Sequence, residues 1–369
     1  MTRLGFTREN TGRIVLISAT ILMWLFLLLM FKNYGYNKTW QLWGVQTEEL
    51  PFMDFRLIPS SAESFRNGFE PTVENPFEPG GRIFNYPAFW RLFFYVNFIS
   101  QDDTIWICIV MLILFFTGIF LFPQRLSVTS AFWMLLIVFS PASMLLYERG
   151  NVDLFVFFIC ALIILAADYS TNLTMGLLIF GAIVKIFPFF GITVLFRESK
   201  RRFFLFSAVG VMILLIYGFI TWESQRAAWT TTWRGEMMSY GTFVLLTRFA
   251  SYFQSPLWKV AFEGLGLLLI FIGVIPAIRN SQSLPVASER NLTAFRMGAS
   301  IYMGTFLLGN NWDYRLAFLI FVIPQLSEWF YAENKTHRHI AMGMMLAITL
   351  SCWHFVFLID LPFIPFKNR

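Results

Sequence analysis

Four short stretches hold ionisable residues in apolar or aromatic surroundings, where they can do chemistry. The first, Pro51-Phe-Met-Asp-Phe-Arg56, sets Asp54 among aromatic side chains. A carboxylate there can take a proton from a hydroxyl as general base. Glu48, Glu49, Glu63, Glu70, Glu74 and Glu78 share the same polar stretch, so acidity alone does not select Asp54. The second, Glu148-Arg149-Gly150-Asn151-Val152-Asp153, lies between apolar runs with almost no spacer. Ionisable groups so close to hydrocarbon are costly unless they pair or face a cavity. Two readings stand: a polar wall of a substrate cavity, or a salt-bridged turn in which Asn151 or Asp153 caps a helix. The third is Lys185 in Gly181-Ala-Ile-Val-Lys-Ile-Phe-Pro188. Its ammonium can bind a phosphate as a compact cation, or snorkel to an interface. The fourth is Asn310-Asn-Trp-Asp-Tyr-Arg315. Here Asn311 or Asp313 can hold sugar hydroxyls and Arg315 a phosphate, or Asp313 and Arg315 can simply pair. Arg226, Arg234, Glu236 and Arg248 read as a solvated face.

The elements that must position these residues are apolar. Of 369 residues, 57% are hydrophobic, 19% aromatic and 14% charged, against about 25% charged in an ordinary soluble domain. The run Ile14–Phe31 carries no charge, and similar runs recur to the C-terminus. A helix needs roughly 20 apolar residues to cross the hydrocarbon core. The expectation is one all-α, polytopic membrane domain over residues 1–369, with no soluble domain and no internal repeat. The net charge of +6 then belongs to cytoplasmic Arg and Lys loops and does not imply nucleic acid. Cys108, Cys160 and Cys352 lie in apolar runs and read as small core residues. Three histidines without paired His/Cys spacing give a metal site no support. A divalent metal is compatible with the chain but nothing in it asks for one, and no other cofactor is called for. The N-terminal apolar run is too long for a signal-peptide core and reads as a retained first helix.

Arg3, Arg8 and Arg13 place the N-terminus in the cytoplasm, as Arg197, Lys200, Arg201 and Arg202 do for their loop. Residues 32–103 then form one large external loop, in which Pro87–Ile99 fits a short amphipathic helix lying on the membrane. Further spans are expected at Thr104–Phe122, Thr129–Tyr147, Asn151–Ala167, Phe203–Thr221, Trp258–Ile278, Met297–Leu308, Arg315–Tyr331 and Ile340–Leu358. With Glu148–Asp153 outside, Leu173–Phe196 must enter and leave by the same side, as two half-helices with Lys185 near the turn. The alternative makes Pro87–Ile99 a true span, so that Leu173–Phe196 crosses simply and Glu148–Asp153 is cytoplasmic; the folded-back arrangement is favoured. Such breaks are tolerated where they line a protein-enclosed cavity. The count is roughly nine to eleven transmembrane segments.

Asp54-Phe55, Ala62, Gly68, Pro71 and Phe84-Asn-Tyr-Pro87 together resemble the first external loop of glycosyltransferase family 87. That family comprises polyprenyl-phosphate-mannose-dependent mannosyltransferases. Glu148-Arg-Gly-Asn-Val-Asp-Leu154 is similar to its second external turn, and Val184-Lys-Ile-Phe-Pro188 to its Lys-aromatic-Pro element. The same two elements are also similar to the mannosyltransferase of glycolipid-anchor assembly. The likeness covers residues 14–200 best. It implies a GT-C architecture, and a multi-pass cell-membrane enzyme with its active site facing outward, most simply in a bacterial inner membrane. It implies inverting transfer of a sugar, mannose first, from a polyprenyl-phosphate donor to a glycolipid or glycan acceptor. Asp54 would be the general base. Lys185, Arg149 and Arg315 are the candidate cations for the donor phosphate. Glu148, Asn151, Asp153, Tyr86, Asn311 and Asp313 would face substrate.

Two other classes remain open. A flippase or transporter for a lipid-linked sugar would be expected to show pseudo-symmetric halves. A polysaccharide polymerase would carry its large external loop late in the chain.

Overall fold

In a computed structural model, residues 8–48, 50–96, 99–232, 238–242 and 288–358 are described, with isolated positions between 244 and 286. The expected span Trp258–Ile278 falls outside these stretches, as do Glu49, Arg234, Glu236 and Arg248. The regular secondary structure of the described residues is helical apart from one antiparallel pair, Ser239–Tyr240 against Asn311–Trp312. Among the described residues three helices are long and apolar enough to cross a membrane: Thr11–Tyr34, Gln101–Leu121 and Lys200–Ile220. A fourth is possible if one bent pair of helices counts as a single span. Even by that count, the described elements that meet the length-and-composition test are fewer than the span count expected above.

The helices are α1 (Arg8–Tyr34), α2 (Tyr36–Leu42), α3 (Met53–Arg66), α4 (Thr104–Leu121), α5 (Val128–Val138), α6 (Pro141–Arg149) and α7 (Asp153–Ala166). They continue as α8 (Thr171–Val184), α9 (Lys200–Ile220), α10 (Trp222–Thr231), α11 (Glu289–Leu307), α12 (Ile323–Phe330) and α13 (Lys335–Leu358). Tighter 3₁₀ segments cover Ala88–Tyr95, Phe187–Arg197 and Asp313–Val322. The chain runs back and forth between two ends of the molecule. One end gathers Asp54, Asn151, Lys185 and Arg315. The other gathers Asp168, Arg197 and Arg290, so polar residues are not confined to one end.

The expected single span Thr129–Tyr147 is instead α5 and α6, bent by 56°. The cause is local. Ser140 caps α6 by accepting from the Ser143 amide, and Pro141 occupies the first turn, where its missing N–H costs nothing. A break frees backbone carbonyls that must find other donors. Trp43 Nε1 donates to the Phe139 carbonyl at 2.9 Å, Tyr147 Oη to Val138 at 2.9 Å, and Trp353 Nε1 to Leu136 at 2.7 Å. Ser140 and Ser143 hydroxyls both donate to Ile137. Side chains from the end of α2 (Trp43), from α6 and its cap, and from α13 therefore bind the carbonyls around the bend.

The Leu173–Phe196 region folds back on itself, as expected from its polar flanks. Thr171 at the start of α8 donates to Glu198 beyond the returning segment at 2.7 Å. Halfway along, a Cβ on Gly191 would lie 3.7 Å from Leu178. Lys185 stands at the break, with extended backbone, and Pro188 opens the return. Trp90 Nε1 donates to the Val184 carbonyl at 3.1 Å, so the first loop caps the break. The segment expected as an amphipathic helix over Pro87–Ile99 is the shorter 3₁₀ turn Ala88–Tyr95, with Trp90 and Phe94 buried. The expected helix over Arg315–Tyr331 begins as 3₁₀ and becomes α only at Ile323.

Candidate functional site

The site is assembled where α3 begins and α6 ends. Gly150 ends α6 with φ +57°, a left-handed conformation that favours glycine. It also has no room for a side chain: a Cβ would meet Cys108 Sγ at 2.7 Å and Phe52 Cβ at 2.8 Å. Phe52 itself has φ +59° and precedes α3. Its N–H donates to the Glu148 carbonyl at 3.2 Å. These contacts bring Asp54, in the first turn of α3, against Asn151.

Asn151 is the hub. It is 3% exposed, and both ends of its amide are in use. Nδ2 donates to Asp54 Oδ2 at 2.6 Å and to Tyr314 Oη at 3.0 Å. Oδ1 accepts from Lys185 Nζ at 3.0 Å and from the Asp153 N–H at 3.0 Å. One buried amide thus links the candidate base to the candidate cation.

Asp153 is fully buried in the first turn of α7. Its Oδ1 lies 2.5 Å from Lys185 Nζ and its Oδ2 lies 3.1 Å from Arg315 Nε. Both cations also stand over the Phe187 ring, at 6.0 and 5.0 Å from its centroid. Arg315 Nη1 donates to Asn311 Oδ1, and Asn311 Nδ2 to the Thr305 carbonyl. Two cations share one carboxylate, which leaves this part of the wall net positive.

Arg149 is placed differently. Its Nη1 lies 2.5 Å from Glu48 and its Nε 3.2 Å from the buried Glu148. Here one cation meets two carboxylates. Tyr36 Oη reaches the Glu148 carbonyl and carboxylate, and burial raises the Tyr36 phenol above its usual range. Asp313 pairs with His354 at 3.4 Å rather than with Arg315.

Tyr86 donates to the Asp54 carbonyl at 3.0 Å. Burial first, and then the Asp54 charge, push its phenol well above the usual range, so it stays protonated. Arg82 comes from the same loop. Buried Glu78 accepts from its Nε and Nη2 at 2.9 and 2.7 Å, and from its backbone N–H at 2.7 Å. Arg82 Nη2 also donates to the Met53 carbonyl, and Nη1 lies 3.8 Å from Asp54 Oδ1.

These groups surround one cavity of about 430 Å³. Of the residues expected from the sequence, Asp54, Tyr86, Arg149, Asn151, Lys185 and Arg315 line it. Glu148, Asp153, Asn311 and Asp313 are not on its wall. The first three stand behind the lining cations and hold them; Asp313 pairs with His354. Arg82, Asn85 and Tyr314 line the cavity and were not anticipated. Arg82 had one available signal, a Glu four residues earlier across a Gly-Gly turn. Among the described residues no three His, Cys, Asp or Glu side chains converge on a metal position. No family model, curated protein or solved structure matches the chain.

Proposed function

We propose that the protein is a polytopic membrane glycosyltransferase of GT-C type, using a polyprenyl-phosphate sugar, mannose first, and a glycolipid or glycan acceptor. One observation supports this reading above the others. A single cavity holds a carboxylate, Asp54, beside a net-positive wall built from Lys185 and Arg315 around Asp153. Sugar transfer from a lipid phosphate needs both. Asp54 takes the proton of the acceptor hydroxyl as its oxygen attacks the anomeric carbon. A new C–O bond forms there, the bond from the anomeric carbon to the phosphate oxygen breaks, and the electron pair leaves with the lipid phosphate. Lys185 and Arg315 stabilise that developing charge. The apolar helices keep the polyprenyl tail in lipid, with the cavity on the outward face of the membrane. No step here calls on a metal or other cofactor.

The test is incubation of purified protein with labelled polyprenyl-phosphate sugars and hydroxylated acceptors. Asp54→Asn should retain folding and donor binding and lose about 100- to 10,000-fold in turnover. Glu63→Gln and Glu70→Gln should cost far less. A flippase or transporter would keep transport in the Asn variant. Wild-type turnover by that variant would reduce Asp54 to a structural residue and remove the mechanism.

A further inference from the structure

The cavity has two unlike walls, and the one built from the first loop is unaccounted for. Arg82 is held on one edge only. Its Nε and Nη2 are bound by Glu78 and the Met53 carbonyl. Its backbone is held as firmly: Asn75 Nδ2 donates to the Arg82 carbonyl at 2.8 Å. Asn75 is itself fixed by Ser64 at 2.6 Å and Ser61 at 3.0 Å. Buried Ser61, Ser64, Asn75 and Glu78 thus aim one guanidinium at one place. The remaining nitrogen, Nη1, makes no hydrogen bond among the described residues and faces Asp54 Oδ1 across 3.8 Å.

That gap exceeds a hydrogen bond, which spans about 2.7–3.2 Å. An oxygen seated on the cavity side of the pair, about 2.8 Å from each, can accept from Arg82 and donate to Asp54. Asn85, from the same loop, lines the cavity beside them with no side-chain hydrogen bond among the described residues. A donor phosphate does not fit here, because it would stand against the Asp54 carboxylate. A neutral hydroxylated group does. It offers one hydroxyl that gives its proton to Asp54 and a neighbouring one that Arg82 and Asn85 can hold.

Resting on the glycosyltransfer reading above, we propose that Arg82 and Asn85 form the acceptor subsite and read a pair of adjacent hydroxyls on a sugar or polyol headgroup. Glu78 is the positioning residue behind Arg82.

The experiment uses the full chain in detergent with a labelled polyprenyl-phosphate mannose. The acceptor probes are octyl mannoside, octyl glucoside and octylglycerol, each with an analogue lacking one of two adjacent hydroxyls. Arg82→Lys is the informative variant, because it keeps a cation for buried Glu78 and removes the second arm. It should raise the acceptor KM about ten- to 100-fold, the loss of one charge-assisted hydrogen bond, and leave the donor KM within about twofold. Asn85→Ala, which disturbs no side-chain hydrogen bond among the described residues, should move the acceptor KM in the same direction. With the deoxy acceptor the wild-type protein should lose efficiency and Arg82→Lys should lose little more. A merely structural role would not show that cancellation. An unchanged acceptor KM, or a raised donor KM, overturns the subsite while leaving the enzyme reading standing. A wild-type protein inert on every probe overturns the enzyme reading itself, and the subsite with it.

Discussion

Helix α7 carries an acidic residue at each end, and the two ends are built alike. Asp153 opens the helix and meets Lys185 and Arg315. Asp168 follows it and meets Arg197 at 3.3 Å and Arg290 at 2.5 Å. In both cases one cation comes from the folded-back segment after α7 and the other from the α11 region and the turn beyond it. The two ends differ in burial. Asp153 is wholly buried and its cations line the cavity. Asp168 is about a fifth exposed, and nearby Glu198 adds a second carboxylate, bound to Thr171 and Arg202. The same charge arrangement is therefore a partly exposed clamp at one end and, in the function proposed above, an anion-binding wall at the other. Burial and an adjoining cavity make the difference, because two cations on one carboxylate attract an anion strongly only where water does not screen them.

The widest test of this comparison asks whether the two ends lie on opposite sides of a membrane. A cysteine placed at Glu70 should label only from outside, and one at Arg201 only from the cytoplasm. Cytoplasmic labelling at position 70 would overturn the orientation and the proposed function together.

The next effect in size is on stability. Asp153→Asn leaves two buried cations without their shared carboxylate, a loss of about 3–5 kcal/mol for a broken buried pair. Asp168→Asn should cost less, because its carboxylate and both of its cations are partly exposed and water screens the charges left behind. Thermal unfolding in detergent checks this, and equal losses would erase the distinction between the ends.

The smallest effect separates the cavity's own cations. Lys185→Met should raise the donor KM about tenfold, since it deletes half of a net-positive pair. Arg149→Gln should alter stability more than donor KM, because Glu48 and Glu148 already occupy that guanidinium. A larger donor effect at Arg149 in steady-state kinetics would move the phosphate to the other wall.

Much of this architecture was legible in the chain. The apolar runs announced helices, and Lys185 with Pro188 announced the break, because a lysine and a proline interrupt an apolar helix for reasons that act locally. Lys185, Arg149 and Arg315 were picked out by charge in apolar surroundings and Asp54 only by the resemblance of its loop, and all four line one cavity. The bend after Val138 was missed although Ser140-Pro141 is a visible helix start; the hydrophobic run masked it.

What the sequence by itself determined is therefore the helical class and the set of charged residues that apolar surroundings force to find partners. Only the tertiary structure decided which partners. Asn151 meets a lysine 34 residues away, and Asp153 an arginine 162 residues away. Such pairing depends on how the folded-back segment and the late turn pack around α7. The same packing sets Arg149 between two carboxylates and makes Lys185 share one with Arg315, and it turns Arg82 from a loop residue into a cavity wall. Residue type sets what a side chain can do, but in a low-dielectric interior its neighbours decide whether its charge is spent on the protein or left for a substrate.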